Sequence, residues 1–203
     1  MTKYINILIL TLFICACYTI DKDKHADFIN FQKSIKNFPN FYKLGDTIIS
    51  SKDDLWANRK FIDTTFLIKF QLIDTSYKTE YKPHTLTEYH CSLLGHYHFN
   101  NSELILTYSL RTEAGDGNPI LTLLSFSEKG EQKGLIKVDL HYQHDPETIP
   151  VTYFSISPTF EIFINQTEKD YIFDKDKYTL TDSHFWMEKY KIGTDGDFLL
   201  IKK

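Results

Sequence analysis

The sequence has no cluster of lysine and arginine. Its 23 basic and 27 acidic side chains are interspersed, for a formal charge of −4. It therefore offers phosphate groups no basic face, and no nucleic-acid partner is expected. Also missing is an apolar run of about twenty residues, the length a membrane-spanning helix needs; the mostly apolar stretch 5–14 is about half as long and soon meets Asp21-Lys22-Asp23-Lys24. There is no Gly-x-Ser-x-Gly elbow, and no Ser-x-x-Lys occurs together with its companion motifs, so neither serine-nucleophile pattern is present. Asp174-Lys175-Asp176 and Asp195-Gly196-Asp197 lack the spaced acidic set and closing glutamate of a calcium loop, and they read as hairpin turns. Heptads, low-complexity tracts and a convincing repeat are absent too. No cofactor is expected.

Cysteine is scarce as well: three in 203 residues, at positions 15, 17 and 91. Two of them close the N-terminal segment. One positive charge, Lys3, precedes the apolar run, and Ile14-Cys15-Ala16-Cys17 ends it. That is the build of a secretory signal peptide. Ile14-Cys15-Ala16-Cys17 further resembles the lipobox of bacterial lipoproteins: a branched aliphatic, two small residues, then the cysteine that receives diacylglycerol before the signal is removed. The resemblance implies that residues 1–16 are discarded and that Cys17 becomes the acylated first residue of the mature chain. The alternative is an ordinary signal peptide or a short uncleaved anchor.

Each buried methylene of an acyl chain contributes about 0.8 kcal/mol, and one chain alone holds a protein only marginally. The two or three chains of a lipoprotein cysteine would make attachment lasting. Residues 17–26 then form a polar tether, reaching about 30 Å at roughly 3.5 Å per residue. Tyr18 rather than an acidic residue follows Cys17, which by analogy with lipoprotein sorting favours the outer membrane. Loss of residues 1–16 removes Lys3 and no acid, taking the formal charge from −4 to −5. Only Cys91 is then left unmodified. No internal disulfide can form, and Cys91 reads as a small buried hydrophobe.

What is abundant is aromatic: 16 Phe and 13 Tyr against two Trp. Phe28, Phe31, Ile35 and Phe38 recur at spacings of three and four, the mark of one apolar helix face, with Asp23 or Asp27 as cap and Pro39 as stop. The period then changes to two. Ile62, Thr64, Phe66, Ile68, Phe70 and Leu72 alternate with polar residues, as do Ile136, Val138, Leu140 and Tyr142, and both segments read as half-buried strands. Further strands are expected at 93–99, 103–110, 120–127, 151–157, 160–165, 185–192 and 198–202. Turn signals separate them at Asn100-Asn101, 115–119, 128–131 and 194–197.

The expected fold is mainly β. It is one antiparallel meander domain, residues 27–203, closed as a barrel or a sandwich, with a short N-terminal helix; the hairpin spacing also fits a propeller-like arrangement. The order of the Phe-rich helix, Phe38-Pro39, Ile48-Ile49, a strand near Lys60-Phe61-Ile62, and hairpins ending in Tyr190-Lys191-Ile192 and 195–198 looks like the small lipoproteins common in Bacteroidota. That resemblance implies an envelope compartment and a β-rich fold, and it carries no catalytic residue.

Eight histidines are many for this length. His96 and His98 sit at i, i+2 on a strand, a spacing that turns both rings to one face and suits a metal. With Leu93, Tyr97 and Phe99 taken as the core set, those rings face solvent or a groove. His141 and His144, near Asp145 and Glu147, form a second candidate cluster for metal or acid–base work. Asp46-Thr47-Ile48 and Asp63-Thr64-Thr65 resemble the acceptor pattern for periplasmic O-glycosylation in Bacteroidota. The stretch 74–90, with Tyr77, Tyr81 and Tyr89, is the expected aromatic loop. Together these features favour a membrane-anchored binding or structural module of the cell envelope, with the membrane and an envelope protein as partners. An immunity or inhibitor lipoprotein and a metal-dependent enzyme built on the histidines remain open.

Overall fold

The computed structural model describes residues 25–50, 89–111, 119–140, 148–174 and 177–203. The lipobox, Cys17, the expected strand 62–72 with Phe66 and Phe70, Tyr77 and Tyr81, Asp63-Thr64-Thr65, His141, Tyr142 and His144 lie outside the described residues. A helix, α1 (residues 25–35), precedes nine strands: β1 (Thr47–Ile49), β2 (Tyr89–Phe99), β3 (Ser102–Arg111), β4 (Pro119–Ser127), β5 (Gln132–Asp139), β6 (Thr148–Ile156), β7 (Glu161–Asp174), β8 (Lys177–Ile192) and β9 (Phe198–Lys202). They form two antiparallel sheets, one of four strands in the order β2-β3-β4-β5 and one of five in the order β1-β6-β7-β8-β9. The fold is a mainly β sandwich, not a closed barrel.

The sheets pack face to face through one apolar layer. Leu104, Leu106, Tyr108, Leu121, Leu123, Ile136, Val138 and Leu140 come from the four-stranded side, and Ile48, Phe154, Ile156, Ile162, Ile164 and Ile192 meet them from the other. The alternation expected for 136–140 holds: Ile136, Val138 and Leu140 are buried while Lys137 is exposed. Along one side the sheets close together, where Gly134 of β5 leaves room for the Phe198 ring of β9; a Cβ at Gly134 would lie 2.6 Å from that ring.

The helix forms a third layer. Phe28, Phe31 and Ile35 bury against Cys91, Leu93, Ile105, Leu124 and Phe126 on the outer face of the four-stranded sheet. Phe28 is fully buried, its ring 4.9 Å from that of Phe126. This covering explains the sequence of β3 and β4. Ile105 and Leu124 face the helix while Leu104, Leu106, Leu121 and Leu123 face the opposite sheet, so strands buried on both sides read as nearly continuous apolar runs. α1 stops at residue 35, well before Pro39, and the Phe38 amide donates to the Ile35 carbonyl at 2.8 Å. It includes His25 and Ala26, which the sequence assigned to the tether.

Three hairpin turns share one geometry. Ser127, Ser157 and Gly193 each accept from the amide three residues on and donate to the carbonyl four residues on, with the fourth residue left-handed: Gly130 (φ 79°), Phe160 (φ 58°) and Gly196 (φ 87°). A type I turn followed by such a residue suits a short hairpin loop. Phenylalanine in that position is strained, and its ring is held against Phe99 at 4.6 Å between centroids.

Candidate functional site

The histidine segment of β2 is built around a bulge. Pairing with β3 shifts between Leu93 and Gly95, and a bulge turns later side chains to the other face. Leu93 therefore packs under the helix while Leu94, Tyr97 and the partly buried Phe99 belong to the layer between the sheets. The single-face set Leu93, Tyr97 and Phe99 expected from simple alternation is thus divided. The loop after α1 occupies the backbone that the bulge releases. The Phe41 amide donates to the Leu94 carbonyl at 3.0 Å. Asn40 donates from Nδ2 to the His96 carbonyl and accepts the His96 amide at Oδ1, both at 2.8 Å. Tyr97 donates its hydroxyl to the Tyr42 carbonyl at 2.7 Å. Burial, with the Asp46 carboxylate acting in the same direction, pushes that hydroxyl's pKa well above the usual tyrosine range.

His96 is thus held by its backbone, with its ring half-buried, and His98 is exposed with Nδ1 3.3 Å from Glu103 Oε1 across the β2–β3 pair. On β8, His184 lies 3.7 Å from an Asp170 oxygen and 3.5 Å from an Asp182 oxygen. Among the described residues no group of three His, Cys, Asp or Glu side chains is placed to hold a metal ion. Cys91 is buried beneath the helix, and desolvation pushes its thiol up to about 12, against a smaller lowering by a Thr107 hydrogen bond. Thr47, in the glycosylation-like pattern, is exposed on β1, a strand at the end of its sheet.

The largest departure from an ordinary polar surface is the β7–β8 hairpin, of 14 and 16 residues. Among the described residues β6 pairs with β7 as far as Asp170, and β9 pairs with β8 over Lys189–Ile192. Among the same residues the far part of the hairpin is two strands paired with each other. Its register places Tyr171 beside Leu180 and Phe173 beside Tyr178, and a bulge at Asp170/Tyr171 leaves Thr181 as the extra residue of β8. Counted along β7, Tyr171, Phe173, Tyr178, Leu180 and Phe185 all lie on the face opposite the core residues Ile162 and Ile164. Phe185 is 62% exposed, and Phe173, Tyr178 and Leu180 are about half exposed. The Phe173 and Tyr178 rings stack at 4.8 Å. Nearer the sandwich the same face carries Phe163, capped by the Lys189 ammonium at 5.0 Å, which also pairs with Glu161 at 2.8 Å. Trp186 and Ile172 are exposed on the other face, and Leu199, Leu200 and Ile201 extend the apolar surface along β9.

No family model matches the chain, and no curated protein or solved structure matches it either. The site rests on its own geometry.

The sequence did not point to this hairpin. The sequence places its strands at 160–165 and 185–192, shorter than the observed 161–174 and 177–192. The sequence places its exposed aromatics in 74–90 instead. The available signal was a pair of segments rich in Tyr, Phe and Thr flanking Asp174-Lys175-Asp176. Asp174 pairs with Lys177 at the end of the hairpin; Lys175 and Asp176 lie outside the described residues. Among the described residues no helix is long and apolar enough to cross a membrane.

Proposed function

We propose that this chain is a lipoprotein of the bacterial cell envelope, anchored through diacylglycerol on Cys17, whose β-sandwich serves as a non-catalytic module that binds another protein through the β7–β8 hairpin. The observation that carries the binding part is the set of exposed or half-buried apolar side chains Tyr171, Phe173, Tyr178, Leu180 and Phe185 on one face of the β7–β8 hairpin, which extends past its neighbouring strands among the described residues. Lys169 and Ser183 interrupt this face once, between Phe185 and the Tyr171–Leu180 pair; exposed apolar surface is costly to leave in water and marks interaction sites, and exposed aromatics are the side chains that interfaces favour. The anchor rests on Ile14-Cys15-Ala16-Cys17 and the charged segment after it, and Tyr18 favours the outer membrane. An immunity or inhibitor lipoprotein directed against a toxin or hydrolase is one form of this reading, since it too needs a protein-sized surface.

A photo-reactive residue placed at Phe185 in the full chain, expressed in its host, tests the binding surface. A discrete adduct with a protein other than a second copy of this chain, identified by mass spectrometry, is expected at position 185 and none at Lys137, which is exposed on the four-stranded sheet. Equal labelling at both positions, or none at Phe185, would count against the hairpin.

A further inference from the structure

We infer that two copies of this chain join edge to edge along β8, residues 177–188 of one copy pairing antiparallel with residues 177–188 of the other. Within the five-stranded sheet β7 covers one edge of β8 along its whole length, and β9 covers the other only at Lys189–Ile192. Twelve residues, about 40 Å at roughly 3.4 Å each, thus keep one row of backbone donors and acceptors without a strand partner among the described residues. Natural edges of that length are blunted by proline, by charged side chains, by a bulge or by a covering element; β8 carries the bulge at Thr181 and the acids Asp182 and Glu188. This one has no proline, its lysine stands at the very end, and residues 177–186 are all exposed.

Self-pairing of a strand about a two-fold axis fixes each residue's partner once one pair is chosen. Setting Lys177 against Glu188 of the second copy gives Tyr178 against Met187 and Leu180 against Phe185, each occurring twice. The bulge decides that these pairs meet on one face. Leu180 pairs with Tyr171 and Phe185 with Thr167, while Tyr178 pairs with Phe173 and Met187 with Asn165. All four β7 positions are odd-numbered, so the four β8 side chains share the outer face. In a regular strand, residues five or nine apart would point to opposite faces, and this register would oppose apolar to polar. Shifting the register by two in either direction separates Lys177 from Glu188 and loses the charge match. Opposite charges and apolar side chains facing each other across antiparallel strands stabilise pairing, and like charges disfavour it. Within its own copy Glu188 accepts the Tyr190 hydroxyl at 2.7 Å and lies 3.9 Å from the exposed Lys203 ammonium just past β9, so Lys177 of the second copy would join that ammonium at the same carboxylate. This inference does not depend on the anchor or on the partner proposed above.

Sedimentation equilibrium of the full chain in mild detergent tests it, with Lys177→Glu, Glu188→Lys and the double variant compared. The parent is expected to be a dimer, each single reversal to weaken dimerisation about tenfold or more because two pairs become repulsive, and the double reversal to restore it. A monomeric parent would overturn the inference, as would a dimer indifferent to the single reversals or one that the double reversal does not rescue. Circular dichroism of each variant checks folding, and Lys177 is exposed, so its reversal alone keeps the test decisive.

Discussion

Replacing Phe28 with alanine tests whether the helix is a structural layer of the domain. Its side chain has no exposed surface, stacks 4.9 Å from Phe126 and backs onto Gly130, where even a Cβ would come within 2.5 Å of the Phe28 Cβ. A site so closely lined by sheet and turn has little room to collapse, which places the substitution in the upper range for such truncations, about 3–5 kcal/mol. Against a typical total of about 5–15 kcal/mol that is a large share. With a urea slope of about 2 kcal/mol per molar, the unfolding midpoint should fall by about 2 M. Ile35→Val, which removes one buried methyl from the same face, should cost about 0.5–1.5 kcal/mol. Urea titrations followed by far-ultraviolet circular dichroism on the full chain read both. A Phe28→Ala midpoint indistinguishable from the parent, or a loss no larger than that of Ile35→Val, would refute the packing of α1 on the four-stranded sheet.

Further outcomes follow from the same structure. Gly196→Ala must place a Cβ 2.5 Å from Ser102 Oγ at a φ of 87°, so it should destabilise by about 1–3 kcal/mol in the same titration, whereas Lys137→Ala should stay within about 0.5 kcal/mol. At Phe160 the usual order of small residues should invert: Phe160→Gly should be more stable than Phe160→Ala by about 1 kcal/mol, because alanine keeps the left-handed strain and both lose the contact with Phe99. The Cys91 thiol has a folded pKa raised from 9.0 to about 12, so above pH 9 the unfolded chain releases a proton that the folded chain keeps. Stability should hold below pH 9 and fall as pH rises from there towards 12, with a shallower fall in Cys91→Ala; an unchanged slope in that variant would contradict the burial of the thiol.

The sequence made the turns and the single-sided strands legible, because both depend on local chemistry. Asn100 and the glycines at 130 and 196 signal left-handed turn positions directly, and the alternation of Ile136, Lys137 and Val138 reports one buried face. Phe160 gives no such signal, since its conformation is imposed by the layer it packs into. The bulge at Leu93/Gly95 escaped for a related reason: alternation read along one strand cannot register an extra residue, which exists only relative to β3. β1 is three residues long and is defined by its pairing with β6. The hairpin surface is legible only once β7 and β8 are placed in register, because its apolar residues are separated by charged ones and its shared face depends on Thr181 being the bulged residue.

The most direct test of the account is the mass of the N-terminal peptide of the protein purified from its host's membranes, combined with metabolic labelling by a palmitate analogue. The mature chain is expected to begin at Cys17 with a diacylglyceryl-sized mass on it and to carry the label, and Cys17→Ser is expected to show neither. A chain beginning elsewhere without added lipid, or label that survives Cys17→Ser, would contradict it.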